Sequence, residues 1–262
     1  MINHRRWRRL MSGMSIMIIF LVPGMVAMGE PIEKRGAGGM AVDQKQNAFA
    51  ILLHGMGRTH RSMSTMADHL ADKGYRVVNL NYPSTQASIE TLSQGIVAET
   101  VQRCKTERPS APIHFVTHSL GGILVRHYLQ THRLPPESRV VMLSPPNQGS
   151  EIADLMEVFF LYRWIMGPAG QQLGTTAASL PNRLGPVDVP VGIITGDSTV
   201  EPWFSSRVPG PDDGKVSVAR ARLAEMTDFL VVHKSHGFIM NAPEVIAQTT
   251  HFLEHGVFKH LD

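Results

Sequence analysis

One cysteine, Cys104, stands in the whole chain, so no disulfide can form within it and the fold must rest on its core. Acidic residues are missing from the first 29 positions, where Arg5, Arg6, Arg8 and Arg9 supply four of the 25 basic residues. Residues 30–262 therefore carry 21 basic against 22 acidic side chains, a net −1 where the full chain has +3. A near-neutral remainder has no footprint for a polyanion, which excludes nucleic acid as a partner. Internal repeats are absent, and the only low-complexity tract is the glycine-rich stretch at 35–39. Gly36, Gly38 and Gly39 follow no strand, so they form no dinucleotide loop. His251 and His255 lack the glutamate of an H-E-x-x-H site, and no metal or other cofactor is implied.

The first 29 residues do hold a basic cluster followed by an uncharged run at 10–28, with small residues at Ala27 and Gly29. That order is a signal peptide's or a membrane anchor's. Ser12, Gly13, Ser15, Pro23 and Gly24 weaken the run as a stable spanning helix. Residues 1–29 are thus expected to be export signal or anchor, 30–47 a linker, and 48–262 the folded domain. The domain is expected to be periplasmic, secreted, or held at the membrane by 10–28 and facing outward.

From residue 48 onward, short apolar runs alternate with helical patterns. The runs at 48–53, 75–80, 113–117, 140–143, 190–195 and 229–232 are continuous rather than alternating, as strands buried on both faces should be. Helical periodicity covers 62–73, 89–107 and 243–255. This pattern predicts an α/β fold, a doubly wound and mostly parallel sheet of about six strands with helices on both faces.

Thr117-His118-Ser119-Leu120-Gly121-Gly122 lies between the third run and an apolar helix. A serine there sits on a strained strand-to-helix turn, a nucleophile elbow. Thr117 stands where the G-x-S-x-G pattern has glycine. His118 follows a strand, so its side chain should point away from Ser119 and cannot be its base. Leu53-His54-Gly55-Met56-Gly57 closes the first run, and its glycines let backbone approach a substrate. Two histidines, His233 and His236, follow the last run. Two acids precede them: Asp197, directly after the run at 190–195, and Asp213 in Pro211-Asp212-Asp213-Gly214-Lys215-Val216.

These motifs, in the order serine, acid, histidine, resemble the α/β-hydrolase superfamily, in its bacterial lipase and esterase branch. The resemblance covers residues 48–256. It implies a Ser119-Asp213-His236 triad, with Asp197 as the alternative acid. It also implies that the backbone N–H groups of Met56 and Leu120 hold an oxyanion. His54, Gly55, His118 and Asn147 are expected to wall the pocket. Asn147 falls where lipases often carry a histidine. Residues 150–185, rich in large apolar side chains, are expected to be either a buried outer-layer helix or a lid and acyl pocket. The activity implied is cleavage of a small-molecule or lipid carboxylic ester through an acyl-enzyme. The alternatives are a thioesterase or acyltransferase on the same triad, and an inactive binding module of the same fold.

Overall fold

The computed structural model describes residues 32–34, 48–157 and 160–260. One sheet holds the strands β1 (Ile32–Lys34), β2 (Phe49–Leu53), β3 (Arg76–Leu80), β4 (Ile113–His118), β5 (Val140–Leu143), β6 (Val191–Gly196) and β7 (Asp228–Val232). Their order is β1-β3-β2-β4-β5-β6-β7. The six strands β2 to β7 are parallel and coincide with the six apolar runs. The seventh, β1, pairs antiparallel with β3 and lies inside the stretch expected as linker. Its three residues, Ile-Glu-Lys, are too short and polar to register as an apolar run. The proposed export segment lies outside the described residues.

The helices are α1 (Ser64–Asp72), α2 (Ile89–Leu92), α3 (Ala98–Glu107), α4 (Leu120–Leu129), α5 (Glu151–Glu157), α6 (Phe160–Gln171), α7 (Leu180–Arg183), α8 (Pro202–Ser205) and α9 (Pro243–His255). Strand period two sorts the core into two layers. Phe49, Ile51, Leu53 and Phe115 face the layer that includes Val101 of α3 and Leu124 of α4. Ala50, Leu52, Val116 and Val141 face Met66 and Leu70 of α1 and Phe252 of α9. The expected single helix over 89–107 is α2 and α3 joined by a π-helical turn at Ser93–Val97. Within that turn, the Ser93 hydroxyl donates to the Leu124 carbonyl at 3.0 Å and ties the bend to α4.

Residues 150–185 cover the C-terminal ends of the strands, where open α/β sheets bind their ligands. Ala169 and Leu180 are buried in the core, while Met166 and Leu173 line a cavity. Gly167 breaks α6 with φ 63° and ψ −166°. A Cβ there would fall 1.7 Å from the Thr85 carbonyl oxygen, so only glycine lets the cap meet the loop after β3. Asp154 of α5 accepts from the Thr175 N–H at 3.0 Å and stitches the cap to itself.

Candidate active site

Ser119 sits between β4 and α4 with φ 53° and ψ −119°. A non-glycine residue in that region is strained, and the surrounding backbone has to hold it there. Ser119 N–H donates to the Leu143 carbonyl at 2.9 Å, and Gly122 N–H donates to the Ser119 carbonyl at 3.0 Å. Gly121 lets the turn lie against β2: a Cβ on it would approach the Leu53 carbonyl oxygen to 2.8 Å. Thr117, the departure from the usual pattern, is fully buried. A Cβ on Gly122 would lie 3.3 Å from its hydroxyl, so the room made elsewhere by a glycine at the first position is supplied here by Gly122.

The loops after β6 and β7 bring Asp213 and His236 together. Asp213 Oδ2 lies 2.9 Å from His236 Nδ1. The other carboxylate oxygen accepts the Lys215 and Val216 N–H groups at 3.0 and 2.9 Å. His236 N–H donates to the Asp213 carbonyl at 2.9 Å, so the two residues are joined through backbone as well as side chain. Burial alone would raise the Asp213 carboxyl. The charge and hydrogen bond of His236, with help from the nearby Ser144 hydroxyl and the Val216 N–H, outweigh it and hold the group below its ordinary value.

Ser119, Asp213 and His236 all line one cavity of about 390 Å³. Met56 lines it too, and its N–H has no hydrogen-bond partner among the described residues. Leu120 N–H is the first of α4, at the helix end that has no preceding carbonyl to bond.

Of the four residues expected in the wall, only His118 lines this cavity. Its Nε2 lies 2.9 Å from the His236 carbonyl oxygen, which can only accept, so Nε2 carries the proton. Burial, with the positive charges of His236 and Arg58, pushes the ring well below its ordinary pKa, so it stays neutral. His54 lies beneath the site instead. It stacks on Tyr82 at 4.1 Å and its Nδ1 donates to the Gly55 carbonyl at 2.8 Å. Burial lowers its pKa to about 4. Gly55 packs against His118: a Cβ on it would lie 2.6 Å from His118 Nδ1. Asn147 turns to a second cavity, where its side-chain amide donates to the Ala221 carbonyl at 2.8 Å and its backbone carbonyl accepts from Arg126 at 2.8 Å.

Asp197, the alternative acid, pairs with His233, the alternative base, at 3.0 Å. Neither lines the cavity that holds Ser119. Arg58, Glu201, Lys215 and Phe238 do line it, and nothing in the sequence reading singled them out. Arg58 carried the one available signal, a cation directly after the His54–Gly57 loop. Among the described residues no three His, Cys, Asp or Glu side chains are grouped to hold a metal ion.

A strained strand-to-helix serine at the end of a strand in a sheet with six parallel strands is the architecture of one large class. Residues 51–185 match the family model of the α/β-hydrolase fold, and the chain belongs to that family. Solved structures agree on the fold. A Bacillus licheniformis lipase in its mature form superposes with a TM-score of 0.66 at 18% identity, over 86% of this chain and 99% of that one. The Legionella pneumophila phospholipase PlaB gives 0.61 at 17% identity, over 79% and 57%. The type II thioesterase YbtT of the yersiniabactin pathway gives 0.54 at 16%, over 81% and 95%. No curated protein matches the chain by sequence.

Proposed function

We propose that the protein is a serine hydrolase that cleaves carboxylic esters through an acyl-enzyme. One observation carries this reading: a strained Ser119 and a His236 bonded to a buried carboxylate line the same cavity. The Nδ1 of His236 is engaged by Asp213, which leaves Nε2 to act on the serine. Ser119 Oγ attacks the ester carbonyl carbon and gives its proton to Nε2. The carbonyl oxygen takes the negative charge, and the Met56 and Leu120 N–H groups hold it. The C–O bond to the alcohol then breaks, and Nε2–H protonates the departing oxygen. Water repeats the sequence on the acyl-enzyme, returning Ser119 and releasing the acid. Asp213 stays ionised throughout, fixing the tautomer of His236 and stabilising its cation.

A fluorophosphonate tests this directly. One adduct on the wild type and none on Ser119→Ala supports an activated serine. A folded wild type that takes no label, with or without detergent, supports a binding module instead. A thioester as acyl donor, or an added alcohol competing with water, separates thioesterase and acyltransferase chemistry from ester hydrolysis. The reading also places the domain outside the cytoplasm, from the arginines and apolar run of residues 1–29. Fractionation of cells, with the mass of the recovered protein, distinguishes a cleaved signal from a retained anchor.

A further inference from the structure

The charged groups that line the cavity are almost all matched. Lys215 and Glu201 pair with each other at 2.7 Å, and Asp213 is taken by His236. Arg58 is the exception. It lines the cavity, half-buried, and no carboxylate pairs with it among the described residues. A guanidinium has five N–H donors. The one side-chain hydrogen bond it makes among the described residues runs from Nη2 to the Gly237 carbonyl at 3.1 Å. That single bond aims the group without neutralising it. A cation removed from water without a counterion is costly, and an anionic ligand would relieve the cost.

Two contacts fix where that anion would sit. Arg58 N–H donates to the Gly55 carbonyl at 3.2 Å, so its backbone is locked in the turn that carries Met56. Its side chain meets the residue directly after His236. A Cβ on Gly237 would lie 3.2 Å from Arg58 Nη2, so glycine there permits the approach. Arg58 thus bridges the loop assigned to the oxyanion and the loop of the base. The base protonates the departing oxygen, so the alcohol portion of an ester must lie along the His236–Gly237 loop.

We propose that Arg58 recognises an anionic group, phosphate or carboxylate, on the alcohol portion of the substrate. This inference rests on the ester-hydrolase reading. The preferred substrates are then esters of phosphorylated or carboxylated alcohols, with the anion a few bonds from the ester oxygen. Guanidinium binds either anion through paired, charge-assisted hydrogen bonds.

The test compares the butanoyl esters of glycerol, glycerol 3-phosphate, glycolate and choline, with monomethyl glutarate as an ester whose anion is on the acyl side. Wild type should favour the glycerol 3-phosphate or glycolate ester over the glycerol ester by about tenfold or more in kcat/KM, with the choline ester poorest. Whichever of the two anionic esters leads identifies the anion as phosphate or carboxylate. Arg58→Gln should cut that ratio roughly tenfold to a hundredfold, and Arg58→Lys should restore part of it for phosphate. Product inhibition gives a reading that needs no variant: glycerol 3-phosphate or glycolate should compete in wild type where glycerol does not. An anionic-to-neutral ratio near one in wild type, or one unchanged in Arg58→Gln, overturns the proposal. So does a preference for monomethyl glutarate alone, which would put the anion on the acyl side. Labelling of the wild type by a fluorophosphonate keeps the two readings apart, because it reports on Ser119 whatever the alcohol specificity.

Discussion

The molecule contains two aspartate–histidine pairs of nearly the same length. Asp213–His236 is 2.9 Å and Asp197–His233 is 3.0 Å. Everything around them differs. The side chains of the first pair are 0% and 13% exposed, those of the second 36% and 85%. Asp213 is braced by two backbone N–H groups and His236 by the buried ring of His118. No side chain beyond its own acid holds His233 among the described residues. The second pair follows from strand register. Gly196 and Val232 are paired partners at the ends of β6 and β7, so the next residues, Asp197 and His233, fall side by side. The first pair depends on the long loop after β6 turning back to meet the short loop after β7. A short distance does not make a catalytic pair. Burial, bracing and a shared cavity with a strained serine set apart the pair we propose to act.

The sharpest way to break this comparison is to neutralise each acid. Asp213→Asn should lower kcat by about 10⁴, because the histidine loses control of its tautomer. Asp197→Asn should leave kcat within about twofold, as expected of an exposed pair away from the cavity. Steady-state rates on one short-chain ester measure both. A large loss in Asp197→Asn with an active Asp213→Asn would reverse the assignment of the acid.

That pairing is also where residue pattern alone stops short and the family resemblance supplied the choice of Asp213 and His236, which the structure brings together. Both acids and both histidines were visible as candidates, since each follows an apolar run or sits in a turn motif. Which acid meets which histidine depends on loop paths, and side-chain types carry little information about those. The six parallel strands were legible because burial on both faces leaves continuous apolar runs, and β2 to β6 are buried throughout. β1 was not, because three residues with two charged side chains leave no apolar run to read. The elbow was legible despite Thr117, since Ser119 and Gly121 stand between an apolar run and an apolar helix and the acid and histidine motifs follow in order. Asn147 misled because its loop does follow β5 beside the site, while the amide turns away to the Ala221 carbonyl. Arg58 offered only its place directly after the His54–Gly57 loop. Its interest lies in having no carboxylate partner among the described residues.

A second test removes the bracing without touching either pair. A Cβ on Gly55 would lie 2.6 Å from His118 Nδ1 and 3.2 Å from Ser119 Cβ. Gly55→Ala should therefore push His118 off the His236 carbonyl. The expected cost is about 1–3 kcal/mol of stability for overpacking, with a fall in kcat. Urea denaturation and steady-state rates read the two effects. Full stability with full activity would mean that His118 does not position the base.

Acid stability sharpens the contrast further. The Asp213 carboxyl titrates below its ordinary value in the fold, despite the opposing effect of burial. A carboxyl lowered on folding stabilises the protein above the unfolded-state value, near pH 4, and that contribution is lost as the pH falls through the lower folded-state value. The stability difference between wild type and Asp213→Asn should accordingly shrink as pH drops below about 4. Denaturation midpoints from pH 7 down to 3 would show it, and a constant difference over that range would mean the carboxyl is not held down by its partners.

The smallest effect belongs to the exposed pair. His233→Ala removes a ring that is 85% exposed and leaves Asp197 able to reach water. Solvent screens such a pair, and ordering two side chains offsets much of its attraction, so the expected change in stability is below about 1 kcal/mol. Unlike Asp213, Asp197 would not be left as a buried carboxylate without a partner, and that is the term that makes broken pairs expensive. Thermal melting of His233→Ala at low and high salt should show almost no shift in either condition. A loss comparable to that of Gly55→Ala would mean the strand ends of β6 and β7 depend on this contact, and exposure would then be a poor guide to which pair matters.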